Sequence, residues 1–596
     1  MPNGLTLVHT IGLEAVFRIL MNLEVAERVV AVEIGVHTRV GIYVPSSDDY
    51  RFFVLGSAPS SLEAPDFDLT IGYKAAIADV VTNAGCYAFR TTSADDDLVY
   101  DGFPVSVVTG EALARGPTAF LMGNLVARDL EALASKDTLS GFEEVGRATT
   151  SVRDFRERVD GPAAIDVIAS HKPDLVIVSL TDDSEGDGIE YLADLLVEGL
   201  AGRESHYIPR ILLLYGGDVP TVALDRVKLV FPTRVHSISG GTPNQPMDMQ
   251  VPATALEEES KHLQQNIFDG RVIPKALATS PHMSRAVGLG AATDQLAKSQ
   301  GLDVTVIAGD HSDVTVVVAH GDTTKLAQFA AGDSYHRPFH LGFHTPIDRV
   351  ARWIPDGLLP QAMHSYVISQ TSHPTAIPTT TSELMLGHAI WTVGARGALT
   401  NPDDGRRLIK DGSVDLAVLT GEVTKYIGRP IQAALLMINS LETWGVTQLA
   451  LDSASALAMS GCLLERGIPV AIESSLIHLG SCVAVRGQAS VGETAVAVEV
   501  QPDGFAAIER EVGTGSMDVI QWEAGVDAEI RIWPSAKFDA GLGYGRPIRV
   551  RSKLVSGSVG LVIDARGRPL EWPEDTDERK ARIEQWYRSL NAYPPA

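Results

Sequence analysis

Three short stretches of the chain combine an acidic residue, a glycine and a hydroxyl or basic side chain beside an apolar run. The first covers residues 33–39, with the sequence EIGVHTR. A glycine between two strands lets the backbone turn sharply, so that neighbouring N–H groups and a hydroxyl can face a phosphate. A carboxylate at the end of a strand can hold hydrated Mg²⁺. The alternative interpretation of this stretch is a plain hairpin with a glycine turn.

The other two stretches occur in similar settings. Residues 308–313 (AGDHSD) join two apolar runs, and residues 419–422 (LTGE) follow a predicted strand and precede a predicted helix. Two strand–turn–strand stretches, one in each half of the chain, could face each other and clamp a polyphosphate. Turns at the carboxyl ends of strands in α/β layers are where ligands bind. For the third stretch, a helix N-cap by Thr420 is an equal alternative.

Other groups of reactive side chains favour structural interpretations. The histidines at 336, 340 and 344 have the spacing of ligands on a helix face, but a proline and a glycine between them argue against an unbroken helix. The acidic residues within 182–187 are predicted to form a solvated loop. The three cysteines have no CxxC pairing, and the P-loop and GxGxxG fingerprints are missing from the sequence.

Composition narrows the function classes. The chain has 596 residues, 45% of them hydrophobic, which predicts a globular protein of several domains. Its formal net charge is −26, so nucleic acid is a poor partner. The sequence has only three cysteines and neither an apolar stretch typical of a membrane span nor a recognisable secretion signal. We therefore expect a cytoplasmic protein.

The pattern of apolar runs predicts the elements that position these stretches. Closely spaced runs over 29–55 predict an antiparallel meander, and strand-like and helix-like runs alternate from residue 174 onward, as in α/β layers. The strand–turn–strand arrangement returns at 304–319. Short runs with frequent turns after residue 478 predict a small β module, and residues 574–590 predict a helix.

These patterns divide the chain into five predicted parts. They are an N-terminal arm (1–28), a first lobe (29–275), a second lobe (276–477), a β-rich module (478–570) and a C-terminal helix and tail (571–596).

Two strand–glycine–strand turns half a chain apart, with a later strand–glycine turn, resemble the superfamily of actin, sugar kinases and heat-shock chaperone ATPases. Within it, the chain is similar to the MutL-type glutamate mutase L family, which is associated with mutases and unrelated to mismatch repair. The similarity is carried by VGLVIDARGRPLEWPEDTDERKARIEQWYRSL at 559–590, ARWIP at 351–355 and WGVTQLALD at 444–452. The resemblance implies a two-lobed actin-like (ribonuclease-H-like) α/β ATPase fold.

The resemblance also implies roles for the three stretches. Glu33 and Asp313 would be the catalytic and Mg²⁺-holding residues. The residues expected to bind ATP are Gly35, Thr38, Arg39, Gly309, Asp310, Ser312, Thr420 and Gly421.

The sequence departs from the family pattern at positions that matter for ATP. Val306 stands where the second loop expects an aspartate, Ala308 replaces its first glycine, and Glu422 replaces the second glycine of the adenosine-binding pair. These changes remove a metal anchor and close backbone approaches, and they add a negative charge near phosphate. We therefore expect binding of ATP and Mg²⁺ to be weak or lost.

Three functions remain open from the sequence. The resemblance implies a chaperone or reactivase for an adenosylcobalamin-dependent mutase. The degenerate loops also suit a non-catalytic pseudo-ATPase scaffold, and a small-molecule kinase is the third alternative. The expected partner is a protein, either such a mutase or a second copy of the chain.

Overall fold

The computed structural model describes the chain from residue 29 to residue 593 with gaps. The residues outside the description within that span are 62–67, 85–88, 92–97, 101–102, 105–110, 114–117, 125–126, 134–141, 150–163, 167, 170–172, 181–186, 201–207, 217–220, 241–243, 268–281, 322, 331–340, 344, 356–358, 401–407, 410–413, 524 and 551–555. The predicted N-terminal arm, most of the acidic loop at 182–187 and the three spaced histidines therefore lie outside the described residues.

The strands of the first half of the chain are β1 (Val29–Ile34), β2 (His37–Ser46), β3 (Asp49–Pro59), β4 (Phe89–Thr91), β5 (Leu98–Tyr100), β6 (Phe103–Pro104), β7 (Glu111–Leu113), β8 (Thr118–Gly123), β9 (Glu143–Thr149), β10 (Leu175–Leu180), β11 (Arg210–Tyr215), β12 (Thr233–Ser237) and β13 (His282–Ser284). Those of the second half are β14 (Val304–Gly309), β15 (Asp313–His320), β16 (Thr323–Ala330), β17 (Leu416–Thr420), β18 (Gly445–Leu451), β19 (Val470–Ala471), β20 (Ile477–Ala484), β21 (Arg486–Gly487), β22 (Thr494–Pro502), β23 (Ile508–Gly513), β24 (Met517–Ile520), β25 (Ala528–Pro534), β26 (Phe538–Asp539), β27 (Ile548–Val550) and β28 (Gly560–Asp564).

The α-helices that the site and the core use are α1 (Leu69–Ala84), α2 (Ala127–Leu133), α3 (Asp187–Leu200), α4 (Thr221–Val230), α5 (Gln250–Ile267), α6 (Arg285–Gln300), α7 (Ile347–Ala351), α8 (Pro360–Ser372), α9 (Thr381–Ala398), α10 (Pro430–Leu441), α11 (Leu457–Glu465) and α12 (Thr576–Ser589). A 3₁₀ helix covers Glu422–Tyr426. In the part of the chain that the structure describes, no helix has the length and apolar character needed to cross a bilayer.

Two mixed sheets share one arrangement of strands. The first has the order β13-β7-β1-β2-β3-β19, and the second has the order β16-β15-β14-β17-β18-β20-β28-β24. In each, three consecutive strands form an antiparallel meander, and the first strand of that meander pairs in parallel with the next strand of the sheet. The predicted meander over 29–55 is thereby confirmed, and its arrangement recurs at 304–330.

The predicted first lobe holds a second, separate sheet. Strands β12-β11-β10-β8-β9 form an all-parallel sheet between residues 118 and 237. Apolar clusters cover both of its faces, and all six residues of β10 are buried. The continuous apolar run of β10 is typical of such a strand, which has no polar face to alternate with.

The boundary expected at residue 478 falls inside a strand. β20 pairs with β18, and β28 and β24 continue the same sheet beyond it. Only part of the predicted β-rich module therefore forms separate sheets, which have the orders β23-β22-β25-β27 and β21-β26. The reason is that one edge of β18 pairs with β17, and the other edge forms its backbone hydrogen bonds with β20, which lies later in the chain. The helix expected over 574–590 is α12.

Two helices pack between the mixed sheets. One apolar cluster joins β1 and β2 of the first sheet to β14 and β17 of the second through α6 and α11. The two helices cross so closely that a Cβ atom at Gly461 would overlap the carbonyl oxygen of Gly288. This close crossing holds the two sheets so that the turns after β1 and β14 meet.

Candidate functional site

Charged side chains from both mixed sheets meet where the turns after β1 and β14 lie together. Arg39 Nη1 donates to Glu33 Oε2 across the β1–β2 pair at 3.1 Å. Arg285, the first residue of α6, has its Nε atom 3.4 Å from Glu33 Oε1, and its Nη1 donates to Asp310. Arg285 therefore ties the turn of the first sheet to the turn of the second.

Glu422 provides the second link between the two sheets. Its Oε1 lies 2.7 Å from Arg39 Nη2, and its Oε2 lies 3.1 Å from His37 Nδ1. Lys425, one turn further along the 3₁₀ helix, has its Nζ atom 3.8 Å from Glu422 Oε2 and donates to Ser57 Oγ on β3 at 3.2 Å. We call the set formed by Glu33, His37, Arg39, Arg285, Asp310, Glu422 and Lys425 the charge cluster.

The charge cluster is largely buried, and its opposite charges stabilise one another. Burial by itself raises the pKa of Glu422, but Arg39 and His37 outweigh it and hold that pKa well below its usual range. The pKa of Arg285 is raised, because the carboxylates of Asp310 and Glu33 outweigh the effect of burial. Burial lowers the pKa of Lys425 to about 8 against the attraction of Glu422. Arg285 and Glu422 therefore stay ionised around neutral pH, and Lys425 loses part of its proton at mildly alkaline pH.

Strand alternation decides which residues of the first turn enter the cluster. His37 and Arg39 are two residues apart on β2, so both point to the face that carries Glu33. Thr38 lies opposite Ile34 and Ala58 in the sheet, on the other face, and is fully buried. Thr38 was expected to cradle phosphate, and the structure places it on the face away from the cluster.

The second turn is packed by protein on the side where phosphate was expected. The N–H of Asp310 donates to the carbonyl of Asp313 at 2.8 Å, and Trp391 Nε1 donates to the carbonyl of Asp310 at 2.9 Å. A Cβ atom at Gly309 would lie 3.0 Å from Val423 and 3.3 Å from Trp391. Because Gly309 has no side chain, Val423 and Trp391 can pack closely against its backbone, at the place where a phosphate was expected. Asp313 is buried at the start of β15, and Ser312 beside it is half-buried.

The third turn is also bonded internally. The hydroxyl of Thr420 donates to Asp452 Oδ2 at 2.7 Å, and burial raises the pKa of Asp452 to about 6 despite this hydrogen bond. Gly421 has a φ of +94°, and a Cβ atom there would lie 2.6 Å from Arg285 Nη2 and from the carbonyl oxygen of Gly309. Ser455 and Thr424 donate to the carbonyl of Gly421. Gly421 is therefore required so that the second and third turns can touch.

Protein groups take the places in these turns where Mg²⁺-ATP was expected. Guanidinium groups contact both carboxylate oxygens of Glu33, which was expected to hold Mg²⁺, and the carboxylate of Asp310, which was expected to bind ATP. Protein atoms occupy the close approaches at Gly309 and Gly421. Within the described residues, no group of three or more His, Cys, Asp or Glu side chains is placed to hold a metal ion. The Mg²⁺ role expected for Glu33 and Asp313 remains a prediction that this geometry disfavours.

Sequence patterns found part of this cluster and missed part of it. Glu33, Arg39 and Asp310 lie in the predicted turns, and Glu422 was noticed as a departure from the family pattern. Arg285 and Lys425 were missed, and so was Trp391, which packs against the second turn, because none of the three lies within a predicted turn or motif. The signal in the sequence was Arg285 itself, an arginine followed by seven small or apolar residues, AVGLGAA, in the first half of a helix.

Comparison with protein-family models and with curated proteins gives no match for this chain. Solved structures give distant matches. One is nucleotide-free acetone carboxylase, at 11% identity and a TM-score of 0.31, covering 82% of this chain and 81% of that one. A second is the diol dehydratase-reactivating factor in nucleotide-free form, at 9% identity and a TM-score of 0.28, covering 74% of this chain and 99% of the other. A third is (R)-2-hydroxyglutaryl-CoA dehydratase component A of Acidaminococcus fermentans, at 8% identity and a TM-score of 0.26, covering 74% and 97%.

Proposed function

We propose that this chain is a non-catalytic, partner-binding protein on a two-lobed actin-like scaffold, a pseudo-ATPase whose cleft is closed by ion pairs. One observation carries the proposal. Arg39 and Arg285 bind the carboxylates of Glu33, Asp310 and Glu422 at the point where the two turns meet. A nucleotide with its metal would have to displace these buried pairs, and each broken pair leaves an uncompensated charge that costs several kcal/mol, roughly 3–5.

The topology of the two mixed sheets supports the scaffold half of the proposal. Both sheets begin with an antiparallel meander whose first strand continues into parallel pairing, and α6 and α11 pack between them. Two copies of one arrangement that meet at their turns agree with the actin-like resemblance of the sequence. The two lobes would be centred on these two sheets, with the all-parallel sheet as an addition to the first.

The proposed partner is a protein in the cytoplasm. A net charge of −26 disfavours nucleic acid, and the resemblance to the glutamate mutase L family points to an adenosylcobalamin-dependent mutase. In that case the chain acts as a chaperone that holds or remodels the mutase without ATP turnover. Co-elution of the purified chain with such a mutase from the same organism supports this partner, and elution of the chain as a stable oligomer beside an unbound mutase favours self-association.

The test of the pseudo-ATPase proposal is a calorimetric titration of the full chain with Mg²⁺-ATP, followed by an assay for phosphate release. We expect neither heat of binding at millimolar ATP nor turnover above that of a Glu33→Gln, Asp313→Asn double variant, which controls for contaminating ATPases. Turnover near the enzyme median of about 10 s⁻¹ that the double variant lacks would refute the proposal.

A further inference from the structure

Two of the last described residues, Ala592 and Tyr593, are buried against α10 and α9. Tyr593 packs its ring against Tyr587 of α12 at 4.7 Å between ring centroids. Its hydroxyl lies 2.8 Å from Nδ1 of His388 on α9, and only 8% of the residue is exposed. A segment at the end of the described chain is thus bonded to a side chain in the middle of a buried helix.

His388 connects this segment to the 3₁₀ helix of the charge cluster. Its Nε2 atom lies 3.1 Å from the carbonyl oxygen of Tyr426, which can only accept a hydrogen bond. Burial lowers the pKa of His388 to about 4, so the ring is neutral and has a single N–H. Nε2 therefore carries the proton and donates to Tyr426, and Nδ1 accepts from the hydroxyl of Tyr593.

Gln432 at the start of α10 makes a second bridge between the same two segments. Its Oε1 accepts from the N–H groups of Gly428 and Arg429, at 2.9 and 3.1 Å, directly after the 3₁₀ helix. Its Nε2 donates to the carbonyl of Ala592 at 2.9 Å. Arg429 adds a direct contact, since its Nη1 donates to the carbonyl and the side-chain oxygen of Asn591.

We propose that residues 591–593 are a latch that holds the 3₁₀ helix Glu422–Tyr426, and with it the Glu422 link between the two mixed sheets, in the closed position. Two buried side chains each bind the latch on one side and the 422–429 stretch on the other. Release of the latch leaves His388 and Gln432 with unpaired polar atoms and frees the 3₁₀ helix to move. The inference rests on the proposed function only in naming the cleft that is held closed.

The test is amide hydrogen exchange of the full chain, with the amides of Thr424 and Ile427 as reporters, because both bond within this turn. Tyr593→Phe removes one hydroxyl and leaves His388 Nδ1 without its donor. We expect exchange at both reporters to become faster by about fivefold or more, the effect of leaving one buried polar atom unpaired. Amides of β22, in the separate four-stranded sheet, should be unchanged. The rate of Lys425 acetylation by a small reagent should rise in parallel.

Tyr544→Phe, at a tyrosine that is 60% exposed, is the matched control and should change neither readout. Arg429→Met is the second variant, in case Tyr593→Phe does not fold, and should speed the same reporters. Unchanged exchange at Thr424 and Ile427 in these variants would overturn the latch, and so would an equal rise over the whole chain. Binding of Mg²⁺-ATP by the unaltered protein would refute the proposed function without altering this exchange result.

Discussion

Removing the Arg285 guanidinium is the most direct perturbation of the charge cluster. Only 4% of Arg285 is exposed, and it joins Glu33 on the first sheet to Asp310 on the second. Among the described residues, Arg285→Met leaves the Asp310 carboxylate with only the N–H of His311 at 3.0 Å, and the Glu33 carboxylate with only Arg39. Breaking a buried pair by removing one partner costs about 3–5 kcal/mol, because the other charge stays buried. We expect a loss of that size in the free energy of unfolding.

Urea denaturation followed by tryptophan fluorescence measures this loss as a lower midpoint at unchanged slope. The double variant Arg285→Met, Asp310→Asn removes one of the orphaned charges and should recover part of the loss. Lys298→Met breaks an exposed pair with Asp294 one helical turn away and should cost less than about 1 kcal/mol. If Arg285→Met lowers the free energy of unfolding as little as Lys298→Met does, the buried charges do not hold the two sheets together. The argument for a closed cleft then fails.

Three further measurements test other parts of the structure. Thr420→Val removes the hydroxyl that donates to buried Asp452 and should lower the free energy of unfolding by about 1 kcal/mol in the same denaturation assay. Gly461→Ala places a methyl group against the Gly288 carbonyl and should cost about 1–3 kcal/mol or prevent folding, whereas Gly428→Ala meets only an ordinary contact at 3.7 Å and should be nearly neutral. Because burial lowers the pKa of Lys425 from 10.5 to about 8, the unfolded chain binds this proton more tightly than the folded protein. The stability of the wild type relative to Lys425→Met should therefore rise with pH between those two values, and an unchanged difference across that window would contradict the desolvation of this amine.

Local patterns in the sequence were enough to predict most of the elements that carry the site. β1, β11 and the helix now seen as α12 lie close to their expected positions, because apolar periodicity and turn residues act over a few neighbours. The same local information placed Glu33, Arg39 and Asp310 in turns between strands. It also noticed Glu422, because a carboxylate there conflicts with the phosphate that the family pattern expects.

The tertiary structure alone decided how these pieces meet. That β20 extends the second mixed sheet depends on which strand edge is left open after folding, and no local pattern contains that information. Thr38 was expected to cradle phosphate, but the pairing register places it on the face of the sheet opposite to Glu33. Arg285 reaches the cluster only because α6 packs between the two mixed sheets and begins at their meeting turns. Because of this long-range packing, residues of the two predicted phosphate loops form buried ion pairs with Arg285 and Glu422.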